Sequence, residues 1–264
     1  MLTMAMTWQA RVQRRFDRAA SRYDAWAGAQ QSCVDELLAG LAGDIRCAGC
    51  WLDLGAGTGQ LGRRLLSLPD METVLALDLS PGMLGMAMHG NAGAAILPVC
   101  ADALALPLAS HALDGVASSF ALHWTCDPPR ALNEIVRVLK PAAPACLAIP
   151  VLGSLPGRPA DTTQGSALQP LADWREAAMA CAVIEKERVV TYADHYPQPD
   201  DWLDAVRAMG ITARHAGPAG LGGRQRLAEL RDGLEAVREP AGIPLRYTVW
   251  QVRLRAPAST NQTG

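Results

Sequence analysis

Between Trp51 and Pro150 the chain repeats one pattern: a short apolar run, a turn marked by Gly, Asp or Pro, then apolar residues at three- and four-residue steps. The runs are Trp51–Leu54, Val74–Asp78, Ile96–Val99, Leu113–Ser118 and Ala145–Ile149, and the clearest helical patterns are Gln60–Leu68, Pro81–His89 and Pro129–Leu139. Apolar runs without polar alternation predict strands buried on both faces. Alternating with helices, they predict right-handed crossovers and an α/β fold, a Rossmann-like, doubly wound and mostly parallel sheet with helices on both faces. Helix punctuation agrees. Ser80-Pro81 sets an N-cap before a proline in the first turn, Asp127 precedes Pro128-Pro129, and Lys140-Pro141 places a cation and a stop at a helix end.

After Pro150 the pattern loosens. Leu152 to Pro170 is rich in Gly and Pro and reads as irregular. Beyond it follow a helix (Leu171–Cys181), a strand (Glu187–Tyr192), a helix (Pro199–Met209), a Gly-rich loop (Gly217–Gly223), a helix (Arg224–Arg238) and a strand (Arg246–Arg253), which bring the sheet to seven strands. We expect one domain over 1–264: a core at about 45–150, an N-terminal helical lid at about 8–43, and a C-terminal half at about 151–255 completing the sheet and a small cap. Within the lid, Trp8–Tyr23 has two faces. Arg11, Arg14, Arg15, Arg18 and Arg22 recur on one, and Val12, Phe16, Ala19, Ala20 and Tyr23 lie mostly on the other. The arginine face reads either as a solvated surface or as a basic lip that meets an anionic substrate.

Composition narrows the function classes. Half of the chain is apolar and 19% charged, which suits a globular enzyme, and a formal charge of -2 gives no general case for nucleic acid. No window approaches the roughly 20 apolar residues of a membrane span, and Met1 to Trp8 lacks the features of an export signal. The expectation is a cytoplasmic protein. Of seven cysteines, Cys47 and Cys50 form a C-x-x-C with no second pair or histidine cluster, so no metal is expected.

The stretch from Trp51 to Gly62 carries a glycine-rich turn that fits two patterns: G-x-G-x-G from Gly55 and the dinucleotide pattern G-x-G-x-x-G from Gly57. Either way, free N–H groups at a helix start and close backbone approach suit an adenosine-bearing ligand. Asp78, ending the second run, fits a ribose-binding carboxylate in both. Two other acids separate the readings. Asp53, two residues before Gly55, suits an ammonium and the bracing of the loop better than a pyrophosphate; Asp102-Ala103, after the third run, can read the adenine amine. No hydride-transfer constellation accompanies them. An adenosine at one end and an amino acid at the other describe S-adenosylmethionine.

The motifs Leu52-Asp-Leu-Gly-Ala-Gly-Thr-Gly59, Leu77-Asp-Leu-Ser-Pro-Gly-Met83, Ala101-Asp102 with Leu106-Pro-Leu108, and Glu134-Ile-Val-Arg-Val-Leu-Lys-Pro141 resemble the successive motifs of class I methyltransferases. The resemblance implies that Gly55, Ala56, Gly57 and Gly59 pass under the methionine part and that Asp78 takes the ribose hydroxyls. Leu79 and Met83 would pack on the adenine, Asp102 and Ala103 would read its edge, and Ser118, Ser119 and Phe120 would lie beside the methyl group. Four further segments are similar to the malonyl-[acyl-carrier protein] O-methyltransferases of biotin synthesis: Phe16-Asp-Arg-Ala-Ala-Ser-Arg-Tyr23, Ser118-Ser-Phe-Ala-Leu-His-Trp124, Leu152-Gly-Ser-Leu-Pro156 and Pro244-Leu-Arg-Tyr-Thr-Val249. The sequence departs from that family at Ser119, where an asparagine is usual, and at Gly157-Arg158-Pro159, where an acidic residue and a helix are usual.

This closer resemblance implies methyl transfer to the free carboxylate of a malonyl thioester, on acyl carrier protein or coenzyme A. A carboxylate is ionised at neutral pH and needs no general base, so no catalytic side chain is expected beyond those that position the reactants. Tyr23 is the candidate for closing the cofactor pocket. Arg18, His123, Trp124, Arg158 and Arg246 are the candidates for holding the acceptor. An acidic carrier would give the arginine face a purpose, with Arg224, Arg226 and Arg231 as a second patch. Competing readings are a methyltransferase for a quinone precursor or phenol with His123 as base, a non-catalytic cofactor-binding partner, and a nicotinamide or flavin enzyme.

Overall fold

A computed structural model describes residues 7–42, 47–89, 95–154, 168–209 and 221–258. The apolar runs become strands β1 (Gly49–Leu54), β2 (Met71–Asp78), β3 (Ile96–Cys100), β4 (Gly115–Ser119) and β5 (Pro144–Pro150). All pair in parallel, and β7 (Ile243–Arg255) enters antiparallel between β5 and β6 (Val183–Tyr196), giving the order β3-β2-β1-β4-β5-β7-β6. The seven-stranded, mostly parallel sheet expected from the runs is therefore present. Strand order reverses at β1, with β2 on one side and β4 on the other, which opens a crevice beyond the carboxyl ends of these strands.

Side-chain alternation along β1 sends alternate residues to the two layers. Trp51 joins Cys33 and Leu37 of α2 (Gly28–Leu37) and Leu61 and Leu65 of α3 (Gln60–Leu66). Leu52 and Leu54 join Leu132 and Ile135 of α5 (Pro128–Val138) and Trp174 of α6 (Leu171–Cys181). Trp51, Trp174 and Trp250 are wholly buried and anchor these layers. Gly115, paired with Trp51 across β1 and β4, has no side chain because the indole occupies that space: a Cβ there would lie 2.2 Å from the ring.

Other helices are α1 (Trp8–Ala19), α4 (Pro81–Met88), α7 (Pro199–Ala208) and α8 (Leu221–Ala236). The predicted caps hold α4 and α5: Ser80 Oγ accepts from Met83 N, and Asp127 Oδ1 from Arg130 N. α2, not distinguished in the sequence, follows a short 3₁₀ turn at Tyr23–Trp26; its start is held by Asp194 of β6, which accepts from Ala29 N at 3.2 Å. β6 runs well past its predicted bounds. As an edge strand it exposes much of both faces, and its charges pair with β7 (Glu185 with Arg253 and Arg255) in place of an apolar alternation. Among the described residues no helix is long and apolar enough to cross a membrane.

Candidate active site

Because β1, β2, β3 and β4 run parallel, the residues that follow them meet at one edge of the sheet. A cavity of about 150 Å³, partly open to solvent, lies there, with α1, the 3₁₀ turn and α2 packed above it. Its walls take Asp53, Gly55, Ala56 and Gly57 from β1 and its loop, Asp78, Leu79 and Met83 after β2, Asp102 and Ala103 after β3, and Ser119 and Phe120 after β4. Tyr23 and Trp124 border it too.

The loop after β1 is built around two carboxylates. Asp78 Oδ2 accepts from Gly57 N at 2.9 Å and its Oδ1 from Ser80 N at 2.8 Å, tying the first two loops together. Burial pushes the Asp78 carboxyl up against the pull of these N–H groups. With a further N–H from Leu79 the carboxylate still keeps acceptor capacity, a fit for a ribose hydroxyl. Gly57 sits at φ +55 with open space within 4 Å of where a Cβ would project, so the cavity floor is bare backbone. Gly55, at φ +74, leaves room for Ala121 instead: a Cβ would lie 2.1 Å from the Ala121 methyl. Gly59 does not line the cavity; it begins α3 in the left-handed region, packed against Ala87.

Asp53 is buried beneath the loop. Its Oδ2 accepts from Gly62 N at 2.8 Å, and its Oδ1 has no partner among the described residues. Gly62 belongs to α3, where a Cβ would come within 3.1 Å of this carboxylate. The glycine that completes the dinucleotide pattern is thus a close-packing residue beside Asp53. Burial pushes the Asp53 carboxyl up to about 7. An unpaired, buried carboxylate oxygen at the cavity wall fits an ammonium group. Asp102 holds its own turn by accepting from Leu104 N with Oδ1.

Two acids not among the expected site residues, Asp17 and Asp24, fasten the covering segment. Asp17 of α1 accepts from Ser80 Oγ at 2.5 Å and from Gly82 N at 3.0 Å. Asp24 accepts from Thr58 Oγ1 at 2.6 Å and Gln60 Nε2 at 2.9 Å. Each carboxylate thus clamps the covering segment to one cofactor loop. Their partners lie far along the chain, so periodicity carries no trace of them. Tyr23 sits between the clamps; burial, with Asp78 and Asp24 nearby, pushes its phenol well above its ordinary value, so it stays a neutral donor.

The other residues singled out in the sequence divide. Ser118 is buried and donates to Leu54 O at 2.7 Å, away from the cavity; its neighbour Ser119 is the cavity serine. Trp124 belongs to an aromatic cluster, its ring centroid 5.4 Å from Phe16 and 6.3 Å from Trp8. His123 is buried but does not line the cavity; its Nδ1 is unpartnered and burial holds it down at about 3, neutral at any physiological pH. Arg246 pairs with Glu239, and Arg18 is exposed on the outer face of α1; neither borders the cavity. Arg158 lies outside the described residues, as do the side chains of Arg224 and Arg226. Arg231 pairs with Asp200. Cys47 and Cys50 are free thiols at the start of β1, with Cys47 pushed up to about 11 by burial.

A family model described as a methyltransferase domain matches residues 52–146, the stretch that supplies the loops after β1 to β4. The chain is similar to a malonyl-[acyl-carrier protein] O-methyltransferase of Alcanivorax borkumensis, 34% identical over 91% of this chain and 84% of that one. It is also similar to a biotin biosynthesis bifunctional protein of Cellvibrio japonicus, 31% identical over 94% of this chain and 50% of that protein. In three dimensions it resembles a phosphoethanolamine N-methyltransferase of Haemonchus contortus in complex with S-adenosyl-L-methionine, 16% identical with a TM-score of 0.62, over 98% of this chain and 62% of that one.

Proposed function

The chain belongs to the malonyl-[acyl-carrier protein] O-methyltransferases, within the class I methyltransferases, and from that premise we propose that it esterifies the free carboxylate of a malonyl thioester for biotin synthesis. S-adenosylmethionine supplies a methyl group on a positively charged sulfur. A carboxylate oxygen bonds to that carbon as the carbon–sulfur bond breaks, giving the methyl ester and S-adenosylhomocysteine.

The observation that carries the reading is the row of three carboxylates along one cavity wall. Asp53 has an orphaned oxygen, Asp78 has acceptor sites to spare, and Asp102 stands one strand further on. Their order supports an ammonium, a ribose and an adenine in turn. On this reading Gly55, Ala56 and Gly57 form the loop under the methionine part, Gly59 turns that loop into α3, and Leu79 and Met83 flank the adenine beside Asp102 and Ala103. Tyr23 and Phe120 close the pocket near the methyl. The chain is then one methyltransferase domain working in the cytoplasm, its N-terminal segment serving as lid.

The chain's task is alignment and the exclusion of water. An ionised carboxylate needs no base, whereas a phenol does. His123, neutral and off the cavity, does not supply one. For a carrier-borne substrate, the outward arginines of α1 and the turn after it offer a basic approach surface: Arg14, Arg18 and Arg22 are exposed, while Val12 and Phe16 of α1 face the cavity.

Two assays test the reading. S-adenosylhomocysteine should raise the melting temperature where NAD and FAD leave it unchanged. Methyl transfer should occur to malonyl-carrier protein or malonyl-coenzyme A and not to phenolic acceptors; the opposite preference contradicts the proposal.

A further inference from the structure

An anionic acceptor invites the expectation of an arginine clamp, yet among the described residues no Lys, Arg or His side chain lines the cavity. Its polar side chains are the three carboxylates, the amides of Gln9, Gln13, Gln30 and Gln60, and hydroxyl or indole groups. Two of these stand out on one wall. Gln30 and Ser119 each border the cavity, and each has a buried polar atom that is poorly satisfied: Gln30 Oε1 has no hydrogen-bond partner, and Ser119 Oγ has only the weakly bonding Cys33 thiol beside it among the described residues. A buried polar group left unmade is costly, so two of them beside a ligand chamber need a reason.

The two belong to one corner. Ser119 ends β4 and precedes Phe120, whose ring meets Tyr247 at 5.1 Å. The Tyr247 hydroxyl donates to Met209 Sδ at 3.6 Å, and Gln30 Nε2 donates to the same sulfur at 3.5 Å. Gly55, under the methionine part on the reading above, is a close neighbour of Ala121 just beyond Phe120. The Gln30 amide can also turn over. The Tyr247 hydroxyl then gains an oxygen to donate to, and the amide N–H groups take the place of the orphaned oxygen.

We infer that Gln30 and Ser119 are the neutral donors that hold the acceptor's free carboxylate. This rests on the methyl-transfer reading above. Neutral donors suit the reaction. A bidentate guanidinium would engage both carboxylate oxygens and stabilise the anion before reaction, lowering the nucleophilicity of the oxygen that attacks. An amide N–H and a hydroxyl orient the group without a competing positive charge, leaving the sulfonium as its counter-charge in a dry site.

The test is steady-state methylation of malonyl-carrier protein by Gln30→Met and Ser119→Ala, with S-adenosylhomocysteine affinity measured alongside. The expected result is a rise in KM for malonyl-carrier of about tenfold in each, the loss of one hydrogen bond, with S-adenosylhomocysteine affinity within about twofold of wild type by the same scale. Ser119→Thr, which keeps the hydroxyl, should retain the wild-type KM. Gln30→Glu, of the same size, should lose malonyl methylation through like-charge repulsion while still binding S-adenosylhomocysteine; it decides the case if Gln30→Met folds poorly. A wild-type KM in Gln30→Glu or Ser119→Ala overturns the assignment. A wild-type protein that methylates phenols and not malonyl-carrier overturns the functional reading instead.

Discussion

Asp78 already serves the protein before any ligand arrives, since it ties Gly57 to Ser80. Its remaining acceptor capacity gives it a second role. Asp78→Ala should weaken S-adenosylhomocysteine binding by roughly 1–3 kcal/mol, the cost of leaving hydroxyl donors unpaired in a closed site. Titration calorimetry reads this directly, and unchanged affinity would remove the ribose assignment. Asp53 makes a pH-dependent prediction. Its folded-state carboxyl lies near 7, above the ordinary 3.9 or so of an unfolded aspartate. The folded state therefore holds the proton more tightly, and this contribution to stability is full below about pH 4 and lost as pH rises through about 7. Asp53→Asn keeps an acceptor for Gly62 N and lacks that slope, so its stability relative to wild type should improve between those pH values. An ammonium at Asp53 Oδ1 should also drive the proton off. Calorimetry near pH 7 in buffers of different ionisation enthalpy should then show proton release on S-adenosylhomocysteine binding by wild type and not by Asp53→Asn.

At the scale of elements, α1 divides its work between two faces. The outward arginines were legible from three- and four-residue spacing; what lies opposite them was not, because periodicity defines a face and says nothing of its partner. The structure supplies that partner: the inner face covers the cavity, and Asp17 fastens it to the start of α4 while Asp24 fastens the following turn to the start of α3. Removing Asp24 with Asp24→Ala should loosen the cover and weaken S-adenosylhomocysteine binding about tenfold, within the range of a charged hydrogen-bond acceptor. Limited proteolysis should show earlier cleavage before residue 28. Unchanged protection and affinity would mean that the clamp is incidental. The outer face makes a separate prediction. Charge reversal at Arg14 and Arg18 should slow reaction with malonyl-carrier more than with malonyl-coenzyme A, and the difference should shrink at high salt. Equal effects on both substrates would argue against a docking role.

Across the whole molecule, the loops that meet at the cavity were legible in the sequence and the helical side chains that cover it were not, for a physical reason. Gly55, Asp78 and Asp102 sit at the carboxyl ends of parallel strands, so the order of apolar runs places them at one edge. The rest of the cavity lining comes from helices packed over that edge, and no local pattern records which of their side chains point inward. Arg18 and Arg246 have the right charge for a carboxylate, but one faces solvent and the other pairs with Glu239. Gln30 has no sequence signature; its place above the loop is set by Asp194, distant in the chain, holding the start of α2. The same distance in sequence hid the full length of β6, whose charges pair across to β7. The site is thus a crevice fixed by the sheet beneath helices fixed by long-range contacts, and the central question is the identity of the methyl acceptor. The most direct measurement is mass spectrometry of malonyl-carrier protein after incubation with the enzyme and S-adenosylmethionine, with succinyl- and acetyl-carrier as controls. Addition of one methyl group to the malonyl carboxylate, with none on acetyl-carrier, is the expected result. An unmodified malonyl group, or equal methylation of acetyl-carrier, would contradict it.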